Sequence, residues 1–190
     1  VWLGGDIVDF MALSRWDKSP RRKLMLQEEL DATVILLEKL RTAAPRAQMV
    51  WMDGNHEHRL EKYLLNKAEE FAYLRALELP YLLDMDKLEI KYVGHGKPQK
   101  VGHLYHLHGD EFSSGSTNIA RGQLMKLQKN AISGHNHRHQ NDYQRDVSGK
   151  IIGSWKNGCL CGLQPEYDIA PNWTQGITVI QYSTHGSFHV

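Results

Sequence analysis

Four times along this 190-residue chain a short apolar run breaks at glycine and is met there by Asp, Asn or His. Asp6 and Asp9 stand in GGDIVD, Asn55 and His56 in GNHEH, His108 in HLHGD, and His135 and His137 in GHNH. Runs of this length carrying Val, Ile and Trp suit buried strands, and glycine lets the backbone turn sharply where they end. Ligands of sheet-based enzymes gather at the loops leaving strand ends, so this recurrence asks for a sheet that delivers those side chains to one edge. Imidazole, carboxylate and amide oxygen together suit Mn, Fe or Zn better than Ca or Mg.

The intervening segments predict an α/β chain. Leu26, Leu30, Val34, Leu37 and Leu40 form the stripe of a helix over 21–41, with Pro45 just past its end. AQMVWM (47–52) reads as a strand, and 57–79 as a helix with Leu60 and Leu64 on one face, Phe71 and Leu74 further along and Pro80 as its stop. VGHLYHLHGD, NAISGH, KIIGSWKNG and GITVIQYSTHGSFHV read as later strands, and EFSSGSTN (111–118) as a loop capping a following helix through Ser116 or Thr117. Helices and strands alternate early and strands dominate late, within a length that suits one domain over 1–190.

Charge narrows the partners. Lys plus Arg (23) nearly balances Asp plus Glu (22), so no broad positive field favours a polyanion or a membrane surface, and no apolar stretch approaches spanning length. The cluster KSPRRK (18–23) beside Trp16 is a polynucleotide contact or, more ordinarily, a solvated helix start diluted by Glu28, Glu29 and Asp31. Cys159 and Cys161 stand one residue apart, poorly placed to bridge each other; a reducing, cytoplasmic compartment and buried strand thiols are expected.

The ordered set GDxxD, GNHE, HG and GHxH, from Gly5 to His137, resembles the calcineurin-like metallophosphoesterases. The resemblance implies two packed mixed β-sheets flanked by helices, a four-layer sandwich with a two-metal site at the strand ends. It makes Asp6 the carboxylate bridging both cations and Asn55, His108 and His135 the other ligands of one. The second cation takes Asp6 and His137, and in the family also an Asp and a His from a first-strand D-x-H that this chain does not contain. That strand is therefore expected upstream of Val1, making the chain N-terminally incomplete. Manganese is the first expectation for the metals, with Fe, Zn or Ni as alternatives.

The chemistry implied is in-line attack on phosphorus by a hydroxide bridging two cations roughly 3.5–4 Å apart. His56 acts as proton donor to the leaving group, oriented by Asp9, which the near-neutral pKa of imidazole suits. Phosphoprotein phosphatases of the superfamily place an arginine after GDxxD; here the position is Phe10, which counts against that class. Arg59, three residues after His56, is expected to contact phosphate if a helix starts there. His108 is preferred to His106 because it sits at the strand end beside Gly109, while His139 is read as a neighbour of the ligands.

The function expected is hydrolysis of a phosphoester, first a phosphodiester, with a nucleotide or nucleic acid as substrate. Two alternatives stand beside it: a metal-dependent hydrolase of another bond, such as an amidohydrolase using HLH and HNH, and a metal-binding domain without turnover. Asn55 favours phosphoester chemistry over the amidohydrolase. His-Asn-His is not the dispersed signature of an HNH endonuclease, HEHRL lacks the second His of a zincin, and no P-loop or Rossmann fingerprint occurs.

Overall fold

The computed structural model describes residues 1–15, 25–112, 117–165 and 170–190; the basic cluster at 18–23, the predicted helix start at 21–24 and the centre of the 111–118 loop lie outside them. The chain is mixed α/β, with four α-helices among the described residues, and divides into two compact units, 1–96 and 97–190.

The first unit is built on three parallel strands in the order β1 (Trp2–Leu3), β2 (Met49–Met52), β3 (Ile90–Val93). All four residues of β2 are buried, as a central strand covered on both faces requires. Helix α1 (Leu26–Ala43) buries Leu30, Thr33 and Leu37, and its last turn is tied down by Arg41, which donates to the carbonyls of Leu88 (3.0 Å), Ala47 (2.8 Å) and Glu89 (3.1 Å). Leu30 and Leu37 close a core with Val8, Phe10, Trp51, Leu83 and Met85. Phe10 is fully buried, so the residue after GDxxD belongs to this core. Burying Phe10 and Trp51 contributes on the order of 2 kcal/mol each.

The predicted helix over 57–79 is shorter. Helix α2 (His58–Lys67) ends at Ala68, followed by two 3-10 turns and a single α-turn, α3 (Leu79–Leu82), with Pro80 in its first turn. Pro80 opens a helix here because an N-terminal turn has no use for its missing N–H. Phe71, Tyr73 and Leu74 are 47%, 84% and 49% exposed, and an apolar stripe without a surface to cover does not sustain a long helix.

The second unit carries a five-stranded mixed sheet in the order β4 (Gln99–Val101), β5 (Leu104–Leu107), β6 (Ala131–Ser133), β8 (Ile151–Lys156), β7 (Gln140–Arg145). The central pairs β5–β6 and β6–β8 are parallel and the two edges antiparallel. Helix α4 (Ile119–Leu127) makes the crossover between β5 and β6, burying Ile119, Ala120, Gln123 and Leu124. Its cap is Asn118, whose Oδ1 accepts the Arg121 N–H at 2.9 Å, in place of the Ser116 or Thr117 expected. The segment read as a long terminal strand contributes only the hairpin β9 (Gln181–Tyr182) and β10 (Phe188–His189); Ile177 and Val179 alternate correctly but are 71% and 70% exposed. Strands β3, β4 and β7 escape the sequence pattern; β7, QNDYQR, has no apolar face and owes its form to pairing along β8.

Candidate functional site

In the first unit the loops leaving β1 and β2 carry Asp6, Asp9, Asn55 and His56. Gly5 and Asp6 both have positive φ, 94° and 57°, a conformation that costs a non-glycine residue of order 1 kcal/mol and persists only when its surroundings enforce it. Glu57 enforces it. Its carboxylate, 3% exposed, accepts the backbone N–H of Asp6 (2.9 Å), Ile7 (2.6 Å) and Val8 (3.1 Å), and that of Gly54 at 2.8 Å. Glu29 of α1 continues the grip, accepting the N–H of Asp9 (2.6 Å) and Phe10 (3.0 Å). Burial pushes the Glu29 carboxyl above its ordinary range, against the pull of those two amides. Five consecutive amides, from Asp6 to Phe10, are thus fixed by two acidic side chains that sequence reasoning had left without a role; the only signal was Glu57 inside GNHE.

The side chains so presented meet each other. His56 donates its backbone N–H to Asp6 Oδ1 at 3.1 Å, and its ring Nε2 stands 4.0 Å from Asp6 Oδ2. Asp9 Oδ1 lies 2.9 Å from His56 Nδ1 and 2.8 Å from Arg59 Nη1, which also donates to the Asp9 carbonyl at 2.6 Å. The His56 hydrogen bond, with the charges of His56 and Arg59 and against burial, holds the Asp9 carboxyl below its ordinary range. An ionised Asp9 fixes the proton of His56 on Nδ1 and directs Nε2 to other work. Arg59 lies in the first turn of α2, with Nη1 on Asp9; Asn55 occupies the turn after β2, half-buried. One step earlier, Asp53 accepts from Trp51 Nε1 (2.9 Å) and from the Tyr92 hydroxyl, and burial raises its carboxyl to about 6.

In the second unit His108 directly follows β5 and His135 stands beyond the end of β6 after Gly134, neighbouring parallel strands whose ends are tied by the Gly134 N–H donating to the His108 carbonyl at 2.9 Å. His108 Nε2 and His135 Nδ1 are 3.2 Å apart, with the rings at 74°. His106, on β5, instead meets the Tyr182 hydroxyl at 2.7 Å, and burial lowers its pKa to about 4. His135 and His137 take positive φ, 67° and 57°, as Asp6 does. Between them Asn136 is 7% exposed, and its amide nitrogen and oxygen have no hydrogen-bond partner among the described residues.

Gly109 of the HG motif has a specific reason to be glycine. Its φ is 106°, and a Cβ there would lie 2.6 Å from Ser133 Oγ and 2.8 Å from Lys156 Nζ. Those atoms belong to a buried polar chain: Lys156 Nζ donates to Ser133 Oγ (2.6 Å), Ser133 Oγ to Gln123 Oε1 (2.5 Å), and Gln123 Nε2 to the Ala131 carbonyl (3.1 Å). Lys156 is 1% exposed, and burial lowers its pKa to about 7 against the attraction of Glu111 and Asp110.

His137 has other company. Its ring packs edge-on against Trp173 at 4.2 Å, and one of its nitrogens lies with the Cys159 and Cys161 sulfurs in a group whose atoms are all within 4.8 Å. Cys159 is buried as expected, whereas Cys161 is exposed: the chain leaves the sheet after Lys156, and Cys159 pairs with Gln175 in an isolated bridge.

Two imidazole nitrogens converging at the ends of adjacent strands fit a borderline divalent cation, and an imidazole backed by a carboxylate fits proton transfer. The chain matches no family model, no curated protein and no solved structure. No described helix is long and apolar enough to cross a membrane.

Proposed function

We propose that this chain hydrolyses phosphoester bonds, phosphodiesters of nucleotides or nucleic acids first, as a single metallophosphoesterase domain with two packed mixed sheets and two divalent cations. In this reading Asp6, Asn55, His108 and His135 hold one cation, and Asp6 with His137 belongs to the other. The observation that supports it best is the 3.2 Å approach of His108 Nε2 to His135 Nδ1, each at the end of its strand. When bound, such cations lower the pKa of a water and screen the charge of the phosphoryl oxygens.

The remaining work falls to the chain itself. With Nδ1 held by Asp9 at 2.9 Å, His56 carries the transferable proton on Nε2 and gives it to the departing oxygen. Asp9 keeps the ring in that orientation, and Arg59 keeps Asp9 in place. Arg59 is therefore a positioning residue whose phosphate contact, where made, uses the rest of the guanidinium. Glu57 and Glu29 hold the Asp6–Phe10 backbone rigid, and rigid placement of reacting groups is where much of a rate enhancement originates.

The test is a metal count on the chain loaded with Mn²⁺ and desalted, beside hydrolysis of bis(p-nitrophenyl) phosphate. His108→Ala and His135→Ala should lose metal and activity together, whereas His56→Ala should keep its metal and lose activity by about 10²-fold or more, the usual worth of a general acid. Wild-type protein that retains metal without turnover overturns the catalytic reading, and protein that retains none overturns both parts.

A further inference from the structure

We infer that Cys159, Cys161 and His137 form a thiolate–imidazole site for a soft or borderline divalent cation of the zinc class. Their donor atoms lie within 4.8 Å of one another. A tetrahedral cation about 2.3 Å from sulfur and about 2.0 Å from imidazole nitrogen needs its donors roughly 3.5–3.8 Å apart, so closure asks for a contraction of roughly 1 Å. Rotation of the cysteine side chains is the motion that would supply it.

The backbone is already organised around the three residues by the strand-like segment 174–176. Thr174 donates its N–H to the His137 carbonyl (2.7 Å) and accepts the Cys159 N–H on its own carbonyl (2.9 Å), joining the two ligand segments through one residue. The Gly176 N–H donates to the Cys159 carbonyl (3.1 Å), and Gln175 Nε2 donates to the Cys161 carbonyl (3.0 Å). Thr174 Oγ1 accepts the His139 N–H at 2.7 Å, fixing the chain on the far side of His137. Gly158 permits the approach, since a Cβ there would stand 2.4 Å from the Thr174 carbonyl oxygen. Trp173 walls the imidazole, Cys159 is buried, and Cys161 is exposed, which leaves a solvent side for entry and for a water as fourth ligand.

Two sulfurs and one imidazole select zinc-class cations over Mg²⁺ or Mn²⁺. Binding exchanges two thiol protons for the cation, so two protons leave per ion taken up. The site competes with the second cation of the phosphoesterase reading for His137, and its two cysteine ligands lie outside the four motifs, so its test does not depend on phosphoester chemistry.

The test is Co²⁺ titration of the reduced full chain, read by the near-ultraviolet thiolate-to-cobalt charge-transfer band and its loss on adding Zn²⁺. Wild type and His108→Ala should both develop the band. Cys161→Ser, at an exposed position that leaves folding intact, should weaken it to about half and lower Zn²⁺ affinity at least tenfold, and Cys159→Ser with Cys161→Ser should abolish it. Absence of the band in wild type, or its persistence in the double variant, overturns the site. Failure of diester hydrolysis with the band intact sinks the phosphoesterase reading alone.

Discussion

Replacing Lys156 with Met tests the buried polar chain behind the HG turn. Lys156 has its pKa lowered from 10.5 to about 7 by burial, and at 1% exposure solvent does little to soften the effect. The unfolded chain binds this proton up to pH 10.5, while the folded chain releases it near 7. Between those values the unfolded state holds more protons, so folding stability rises with pH. A shift of this size costs the folded state roughly 5 kcal/mol at low pH, about 3 kcal/mol at pH 8 and under about 1 kcal/mol at pH 10. Methionine has nearly the same length and removes the titration, giving up the hydrogen bond to Ser133 Oγ, worth about 1 kcal/mol. Urea unfolding of both proteins at pH 7, 8, 9 and 10 should therefore show Lys156→Met more stable by roughly 3 kcal/mol at pH 7. The gap should narrow to about 1 kcal/mol by pH 9 and reverse slightly by pH 10. A difference between the two proteins that does not change with pH would refute the reasoning, because it would place a charged, solvated lysine at this position.

Other perturbations probe the remaining parts. His106, buried against Tyr182 and lowered to about 4, stays neutral in the folded chain while it would charge near 6.5 unfolded; its contribution is present above pH 6.5 and lost as pH falls toward 4. Wild type should thus lose up to roughly 3 kcal/mol over that window relative to His106→Gln in acid denaturation followed by circular dichroism. Gly109→Ala should destabilise by about 2 kcal/mol or more in urea, combining a φ of 106° with contacts at 2.6 and 2.8 Å, and Gly109→Ala in the Lys156→Met background should cost less. Glu57→Gln keeps its acceptor oxygen but loses the charge shared by four amides; a loss of roughly 2–4 kcal/mol is expected from thermal melts, with faster amide exchange at residues 6–8. Asp9→Asn should reduce diester hydrolysis by about 10²-fold with metal content unchanged, because it orients His56 and holds no cation.

The sequence by itself determined the strand ends and their cargo. Apolar runs stopped by Gly5, Gly54, Gly109 and Gly134 placed Asp6, Asn55, His108 and His135 at loops, and the structure has each of them directly at or shortly after a strand. Those readings needed only local chemistry: side chains that pack, and a glycine that turns. Helix α1 was legible for the same reason, its period being written in Leu30 and Leu37. What the pattern could not settle depended on surfaces far away in the chain. The helix over 57–79 stops at Lys67 because no core waits for Phe71 and Leu74, and β7 forms from polar residues because β8 offers a ladder. Only tertiary structure gave Glu57 and Glu29 their hold on the Asp6–Phe10 backbone, across separations of 49–51 and 19–20 residues. It likewise set His137 beside Cys159 and Cys161, which the sequence holds more than twenty positions apart. A periodic pattern reports the face a residue presents to its own element, whereas a partner many residues away is chosen by how the chain closes on itself, and that choice has no local signature.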